Sequence, residues 1–418
     1  MGRPGETLRG VAGDLERTFA AFTSSPSGAE TTNTRGTTSG VALKIGAPAP
    51  AGGATTTIEA RRGNSIAWHV ELDGTGGPLA RTHDVLAVVL GAVPGLRGEP
   101  GAIVLGLDAA TGAPRWRTAI DSTEWSVITC LAPTMDGVVV GGTFSGTLRA
   151  QSSVVSSAGG SDGFVARLSS DGDVLWLLRV GGAGADSVQG VAAQHDRIAL
   201  AGTVSAGADL LGQALPAFDE HSPFADGFVA ELDLRGARRW AATFGGKSDD
   251  SVAGVAIDAS GRVAVAANAR GAVHVGNSEL MSQGTSDGMV IWWQPGGERG
   301  PTILLGGIDF DGLRAIAAVG DRMVVGGFFS GSMRLGDRVV IAGGGDDAFL
   351  AALDDVGHTV AGWQVGGEGR EEIAALVAIP EGFLAGVTHT ARASLDGVAL
   401  PAPADPMTGA ALVIRGVP

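Results

Sequence analysis

Short apolar runs alternate with clusters of glycine, aspartate and serine along most of this chain. Residues 162–168 (DGFVARL), 174–180 (VLWLLRV), 188–193 (VQGVAA) and 198–204 (IALAGTV) are typical of the pattern. Such runs, rich in β-branched and aromatic residues and ended by turn signals, indicate β-strands. The links between them are too short for crossover helices, so the sequence predicts consecutive antiparallel strands.

The DGFVARL run recurs with a fixed period. Copies of decreasing similarity lie at 226–232 (DGFVAEL), 347–353 (DAFLAAL), 287–292, 100–106, 408–414 and 40–45 (GVALKI). The glycine or alanine near the start of each copy falls at 40, 101, 163, 227, 288, 348 and 409, with spacings of 61, 62, 64, 61, 60 and 61. Four strands per period, repeated seven times, predict an all-β fold, a seven-bladed β-propeller of four-stranded antiparallel blades.

We name the strands of a blade A to D outward from the axis and expect one domain over residues 1–418. The predicted blades are 6–75, 76–122, 123–183, 184–247, 248–308, 309–369 and 370–418. Because the chain ends just after the seventh C strand, the last blade is expected to lack its outer strand. Residues 2–12 align with the D–A link and A strand at 182–192. We therefore expect the natural reading frame to begin further upstream, with a closing strand and an export signal.

The repeat contains a recognisable sequence motif at 162–202 and 226–265. It contains a D-x-F-V-x-x-L strand, a tryptophan strand, and a G-G link that leads to G-V-A. This motif resembles the bacterial β-propeller repeat family of the SBBP type, and the resemblance implies an exported or surface-associated bacterial protein. Residues 104–116 are similar to the tryptophan-docking repeat of quinoprotein propellers. A quinoprotein dehydrogenase is disfavoured, because the adjacent cysteine pair typical of many members cannot form when Cys130 is the only cysteine.

Charge and composition exclude several classes of partner. The net charge is −15 and the 29 basic residues form no cluster, which disfavours binding to nucleic acid or anionic lipid. No apolar run is long enough for a transmembrane helix, and residues 1–10 as given encode no signal peptide. A single cysteine excludes an internal disulfide, and Cys130 is predicted to be a packed thiol in a buried strand. The predicted state is a monomer.

Acidic residues recur at two registers of the repeat. Antiparallel connectivity places the D–A links and the long B–C segments on one face, here called the loop face. Asp186, Asp250, Asp311 and Glu371 precede A strands, and a second set opens C strands at Asp162, Asp226, Asp287 and Asp347. Two rings of acids around the channel mouth are predicted to bind a ligand, with Asp186, Asp250 and Asp311 as candidate Ca²⁺ ligands. The alternative is that each carboxylate caps backbone N–H groups in its own turn.

Tryptophans also repeat, and one pair breaks the pattern. Trp68, Trp116, Trp176, Trp240 and Trp363 fall in predicted D strands, where they are expected to pack between blades. Trp292 and Trp293 are adjacent in a predicted strand, so their side chains point to opposite faces. One of the two is therefore expected to be exposed and to stack on a sugar or a partner.

No catalytic signature is present: the sequence contains no HExxH, GxSxG or Walker motif. The predicted function is a non-enzymatic binding or scaffold domain, extracellular or at the cell surface, whose loop face engages a protein or carbohydrate ligand without a cofactor. One alternative is a carbohydrate-active enzyme, a lyase or glycosidase, that uses acids such as Asp186 and Asp250. The other is a structural propeller stabilised by calcium.

Overall fold

A computed structural model describes residues 6–13, 18–24, 55–62, 65–73, 75–91, 101–215, 225–248, 250–380, 382–400 and 410–416. All regular structure in these residues is β-strand, and every strand pair in a sheet is antiparallel. Among them, no helix has the length and apolar character needed to cross a membrane. The all-β expectation is thus confirmed for the described part of the chain.

The basic unit is an antiparallel meander of strands A, B, C and D. In the unit that contains the IALAGTV run, strand A (Ser187–Gln194) pairs with strand B (Arg197–Val204). Strand B pairs with strand C (Asp226–Asp233), which pairs with strand D (Arg238–Gly246). Two-residue links such as the one between Gln194 and Arg197 suit this order, because consecutive strands then become neighbours in the sheet.

Units are numbered here in chain order. The A strands, which lie at the inner edge of each unit, are Glu6–Gly13, Thr75–Arg81, Trp125–Thr134, Ser187–Gln194, Ser251–Ile257, Gly312–Val319 and Glu371–Ile379. The B strands are Thr18–Ser24, Val85–Gly91, Gly137–Ser145, Arg197–Val204, Val263–Ala269, Arg322–Phe329 and Gly382–His389.

The outer half of each unit follows the same order. The C strands are Thr55–Arg62, Ala102–Asp108, Asp162–Ser169, Asp226–Asp233, Asp287–Trp293, Asp347–Leu353 and Ala410–Gly416. The D strands are Ser65–Asp73, Pro114–Ser122, Val174–Gly181, Arg238–Gly246, Arg299–Leu305 and Thr359–Gly367. Among the described residues, the sheet that begins at Glu371 has three strands.

The first unit corrects one assignment from the sequence. The predicted copy at 40–45 lies outside the described residues, and Thr55–Arg62 pairs with both Thr18–Ser24 and Ser65–Asp73, as a C strand must. The period placed the C strand too early, because in this unit the segment between strands B and C is longer than in its neighbours. Strand D carries Trp68 at the expected position, and the other four repeated tryptophans also lie in D strands.

The long B–C segments fold into short hairpins. These hairpins are Thr147–Ala150 with Ser153–Ser156, Asp209–Leu210 with Gln213–Ala214, Ala272–Val275 with Ser278–Met281, Ser332–Leu335 with Arg338–Ile341, and Ala393–Leu395 with Val398–Ala399. Four of them pair with the D strand of the preceding unit and extend its sheet to six strands. The fifth approaches the preceding unit through a bridge between Gly307 and Met333. Segments expected to be variable binding loops therefore join neighbouring units.

The core lies between successive sheets. Strand C from Asp347 to Leu353 is buried along its whole length, so both of its faces pack against protein. Large side chains such as Phe228, Phe329 and Phe349 fill these layers. The Phe329 and Phe349 rings meet edge to face at 6.3 Å, within the preferred range for aromatic pairs. A sheet covered on both faces needs apolar residues at every position rather than at alternate ones.

Candidate functional site

The four carboxyl groups that precede A strands are buried at the junctions between units. Asp186 accepts hydrogen bonds from the backbone N–H of Gly182 at 2.7 Å and of Ser205 at 2.5 Å, and from the Ser205 hydroxyl at 2.9 Å. Asp311 repeats the arrangement, accepting from the N–H groups of Gly307 at 2.6 Å and Ser330 at 3.0 Å. Each carboxylate therefore ties a D–A link to the start of the B–C segment.

The aspartates that open C strands face these carboxyl groups across the junction. A side chain added to Gly181 would lie 2.2 Å from Oδ1 of Asp162 and 2.6 Å from Oδ2 of Asp186, so the glycine separates the two acids. Gly306 lies between Asp287 and Asp311 in the same way. Each glycine is the first of the two glycines in its D–A link. A larger residue at this position would enter the space between the two carboxyl groups.

Burial changes the protonation of these acids. Burial, with a smaller contribution from the charge of nearby Asp287, raises the pKa of Asp311 to about 6. Burial raises the pKa of Glu371 to about 7, with an added contribution from the charge of Asp347. A low-dielectric site with two carboxyl groups favours the neutral form of one of them. Glu371 is fully buried, so this acid meets no solvent-borne substrate.

The structure therefore separates the predicted site residues. Asp186, Asp311 and Glu371 each lie beside an acid of the preceding unit rather than beside one another, and Asp250 is buried at the equivalent register. Within the described ranges, no three histidine, cysteine, aspartate or glutamate side chains are grouped so that they could hold a metal ion. The hydrogen bonds of Asp186 and Asp311 correspond to the turn-capping alternative.

Trp292 and Trp293 correct a second expectation, because both are buried. Trp293 stacks on Trp240 at 6.3 Å and packs against Phe244, toward the preceding unit. Trp292 belongs to the cluster that packs against the following unit. The prediction that one ring is exposed was wrong because it assumed a solvent-facing sheet surface, whereas an inner sheet is covered on both sides. Neither ring is available for stacking on a ligand.

A feature that the sequence analysis missed lies at the inner edge. Every A strand has a β-bulge at the same register, where one residue, or two in unit 2, has no partner on strand B. From unit 2 onward, the bulge residues include Pro78, Thr129, Gln189, Ala253, Arg314 and Ala374. All six line one cavity of about 340 Å³ between the A strands. The bulge is present in every described A strand, whereas the residue at the bulge differs between most units.

Cys130 lies in the wall of the same cavity and is buried. Burial raises the pKa of its thiol to about 12, so the reactive thiolate is scarce at neutral pH. The expectation of a packed thiol is confirmed, but its strand is buried at alternate positions rather than throughout, because the other side chains face the cavity or the solvent.

Exposed apolar groups gather where A strands begin on the loop face. Phe310 is 37% exposed and lies 5.3 Å from the buried ring of Phe328. The guanidinium of Arg314 covers the Phe328 ring at 4.8 Å and pairs with Glu372 of the next unit. On another side of the mouth, Trp125 is 47% exposed at the start of its A strand. The sequence analysis missed these exposed groups, because none of these residues recurs at its register.

Successive four-stranded antiparallel units, joined by short turns and packed sheet against sheet, define a β-propeller. No protein-family model matches the sequence, and no curated protein matches it. Among solved structures, the chain is similar to BamB from Moraxella catarrhalis, with 14% identity, a TM-score of 0.44, and coverage of 97% of this chain and 85% of that one.

Two further structures show similar coverage of this chain. Sqt1 from Saccharomyces cerevisiae has 8% identity and a TM-score of 0.40, over 100% of this chain and 99% of that one. An acylaminoacyl peptidase from Pyrococcus horikoshii has 9% identity and a TM-score of 0.47, over 94% of this chain and 52% of that one.

Proposed function

We propose that the chain is a closed seven-bladed β-propeller that acts as a non-enzymatic binding scaffold, and that a partner docks on the loop face around the channel mouth. The ring closure is supported by contacts between the first A strand, Glu6–Gly13, and the last, Glu371–Ile379. In a propeller, such contacts between the first and last blades complete the circle.

The observation that carries the binding role is the exposed apolar patch. Ile308 and Phe310 are exposed on the loop face near the partly exposed ion pair of Arg314 with Glu372, and Trp125 is exposed on another side of the channel mouth. Exposed aromatic and apolar side chains rimmed by charge are typical of surfaces that bind proteins. Binding residues also concentrate where loops sit on a rigid scaffold.

The non-enzymatic part of the proposal is supported by the state of the acids. General acid catalysis requires a carboxyl group within hydrogen-bonding reach of the substrate. The two acids whose pKa values rise most, Asp311 and Glu371, are fully buried. Their perturbed pKa values follow from their position inside junctions between units.

Site-specific photocrosslinking tests the proposal. A photoreactive amino acid is placed at Trp125 or Phe310 on the loop face, and at Leu175 or Val360 on the outer rim as controls, which are 46% and 47% exposed. We expect both loop-face positions to capture the same partner in cells of the natural host, and the rim positions to capture none of it. Equal capture from rim and face, or capture of no common partner from the face, would contradict the proposal. Fractionation of the same cells tests the proposed export to the cell surface.

A further inference from the structure

The cavity between the A strands is lined by basic side chains, although the protein as a whole is acidic. The chain carries a net charge of −15, yet the described wall of the cavity includes Arg81 and Arg314 and no aspartate or glutamate. An excess of acids elsewhere repels anions at long range, so two arginines in one enclosed wall create a local exception. A site of this polarity favours an anionic ligand.

Each arginine occupies a distinct place in the wall. Arg314 is a bulge residue near the loop face, and its ion pair with Glu372 uses only Nε. Its two terminal amino groups make no hydrogen bond to the described residues, so they can meet a carboxylate in the bidentate geometry that arginine favours. Arg81 ends its A strand at the other face, and burial lowers the pKa of its guanidinium.

Two other bulge residues supply neutral polar groups. Oε1 of Gln189 is buried and has no hydrogen-bond partner among the described residues. A buried acceptor without a donor is destabilising, and a ligand hydroxyl would satisfy it. The Thr129 hydroxyl donates to the carbonyl of Val188 at 2.6 Å, so its oxygen remains an acceptor. The Gln189 side-chain carbonyl and the Thr129 hydroxyl oxygen can therefore each accept a hydrogen bond from a hydroxyl group of a ligand.

We propose that this cavity binds a small hydroxylated organic acid, whose carboxylate pairs with Arg314 and whose hydroxyl groups donate to Gln189 and Thr129. The volume of about 340 Å³ lies at the lower end of the range of small-molecule pockets. Aliphatic residues such as Leu131, Val191 and Ile316 form the rest of the wall and fit the carbon skeleton. Arg314 borders both this cavity and the proposed partner surface on the loop face.

Calorimetric titration of the whole chain with two matched pairs of compounds tests both chemical requirements. Malate is compared with succinate, which lacks the hydroxyl, and glucuronate with glucose, which lacks the carboxylate. We expect saturable binding of malate or glucuronate, about tenfold weaker or undetectable binding of its matched partner, and competition by either acid for one site. Inorganic phosphate is the probe for binding of anions in general.

Variants assign the binding to the cavity. Arg314→Gln is expected to weaken binding about tenfold, whereas Arg149→Gln, an exposed arginine on an outer hairpin, leaves it unchanged. Ala374→Asp places a negative charge in the ring of bulge residues and is expected to abolish binding, while the similarly sized Ala374→Asn retains it. Because Ala374 is exposed to the cavity, this second pair keeps the test valid even if an arginine variant folds poorly.

Three outcomes overturn the proposal. The first is no saturable binding of either hydroxy acid up to about 10 mM, which is already weaker than ordinary recognition. The second is equal binding of each compound and its matched partner, or of inorganic phosphate. The third is equal affinity in Ala374→Asp and Ala374→Asn, which would place the binding outside the cavity.

Discussion

Glu371 lies against Asp347 at the junction between two successive units, and neither carboxyl group is exposed to solvent. Asp347 opens a C strand, whereas Glu371 opens the next A strand, so the pair forms only when the two sheets pack together. Burial and the charge of Asp347 together raise the pKa of Glu371 to about 7 from an ordinary 4.5. Near neutral pH, one carboxyl group of this buried pair is therefore protonated.

This pair predicts how stability depends on pH. A carboxyl group whose pKa is raised by folding stabilises the protein fully below its unfolded pKa and loses that contribution as pH rises through the folded value. The free energy of unfolding should therefore fall between about pH 4.5 and pH 7.5, by roughly 2 kcal/mol from Glu371. Glu371→Gln should remove this share of the fall in urea titrations, leave the fall below about pH 6 to which the raised pKa of Asp311 contributes, and raise the midpoint at pH 8.

The matched control for that profile is Glu298→Gln, because Glu298 is exposed in a turn. It should keep the wild-type pH dependence. The charged groups that face Glu371 are Asp347 and, directly opposite on strand B, His389. A Glu371→Gln profile as steep as that of the wild type between about pH 6 and pH 7.5 would contradict the assignment to Glu371.

Packing on both faces of an inner sheet predicts a large difference between tryptophans. Trp293→Ala should destabilise the chain by about 3–5 kcal/mol, because it empties the layer shared with Trp240 and Phe244. Trp125→Ala removes a half-exposed ring and should change stability by less than about 0.5 kcal/mol. Guanidinium unfolding of both variants measures the contrast, and similar losses would refute the burial of Trp293.

The hairpins between strands B and C are predicted to stabilise the contacts between units. Leu148 is fully buried on the first strand of one hairpin, next to the D strand of the preceding unit, whereas Val154 on the second strand is 46% exposed. Leu148→Ala should cost about 2–4 kcal/mol. Val154→Ala, in the same hairpin, should cost less than about 0.5 kcal/mol. If both variants melt at the wild-type temperature, the hairpin makes no stabilising contact.

Calcium is predicted to leave the melting temperature unchanged. The oxygens of Asp186 and Asp311 already accept hydrogen bonds from backbone N–H groups of their own junctions. A ligand that binds only the folded state must raise the midpoint, so melts with calcium chloride and with EDTA should coincide. A calcium-dependent rise that Asp186→Asn removes would instead support a cation at the junction.

The fold could be predicted from the sequence because the information is local and repeated. Strand C of unit 4, DGFVAEL, carries its turn signal, its apolar run and its partner register within one short segment. The strand that the sequence analysis misplaced also has a structural explanation. Thr55–Arg62 is a C strand because of its position between two other strands, and its sequence resembles the repeat too weakly to be found.

The candidate site was less predictable because it depends on distances between units. The sequence places Asp347 and Glu371 in separate rings, and only the packing of the sheets brings them together. The bulge at Gln189 was also invisible, since it appears only when strands A and B are paired residue by residue. Trp292 and Trp293 were misjudged because alternation predicts direction, while exposure depends on the neighbouring unit.

The hairpins also bear on how such a gene gains or loses repeats. Four of the five described hairpins pair with the D strand of the unit before them, and units 3 and 4 both donate a hairpin in this way and accept one. A duplication or deletion one period long therefore adds or removes one donor and one acceptor together, wherever its endpoints fall. Recombination can therefore change the number of units while each such hairpin keeps a D strand to pair with.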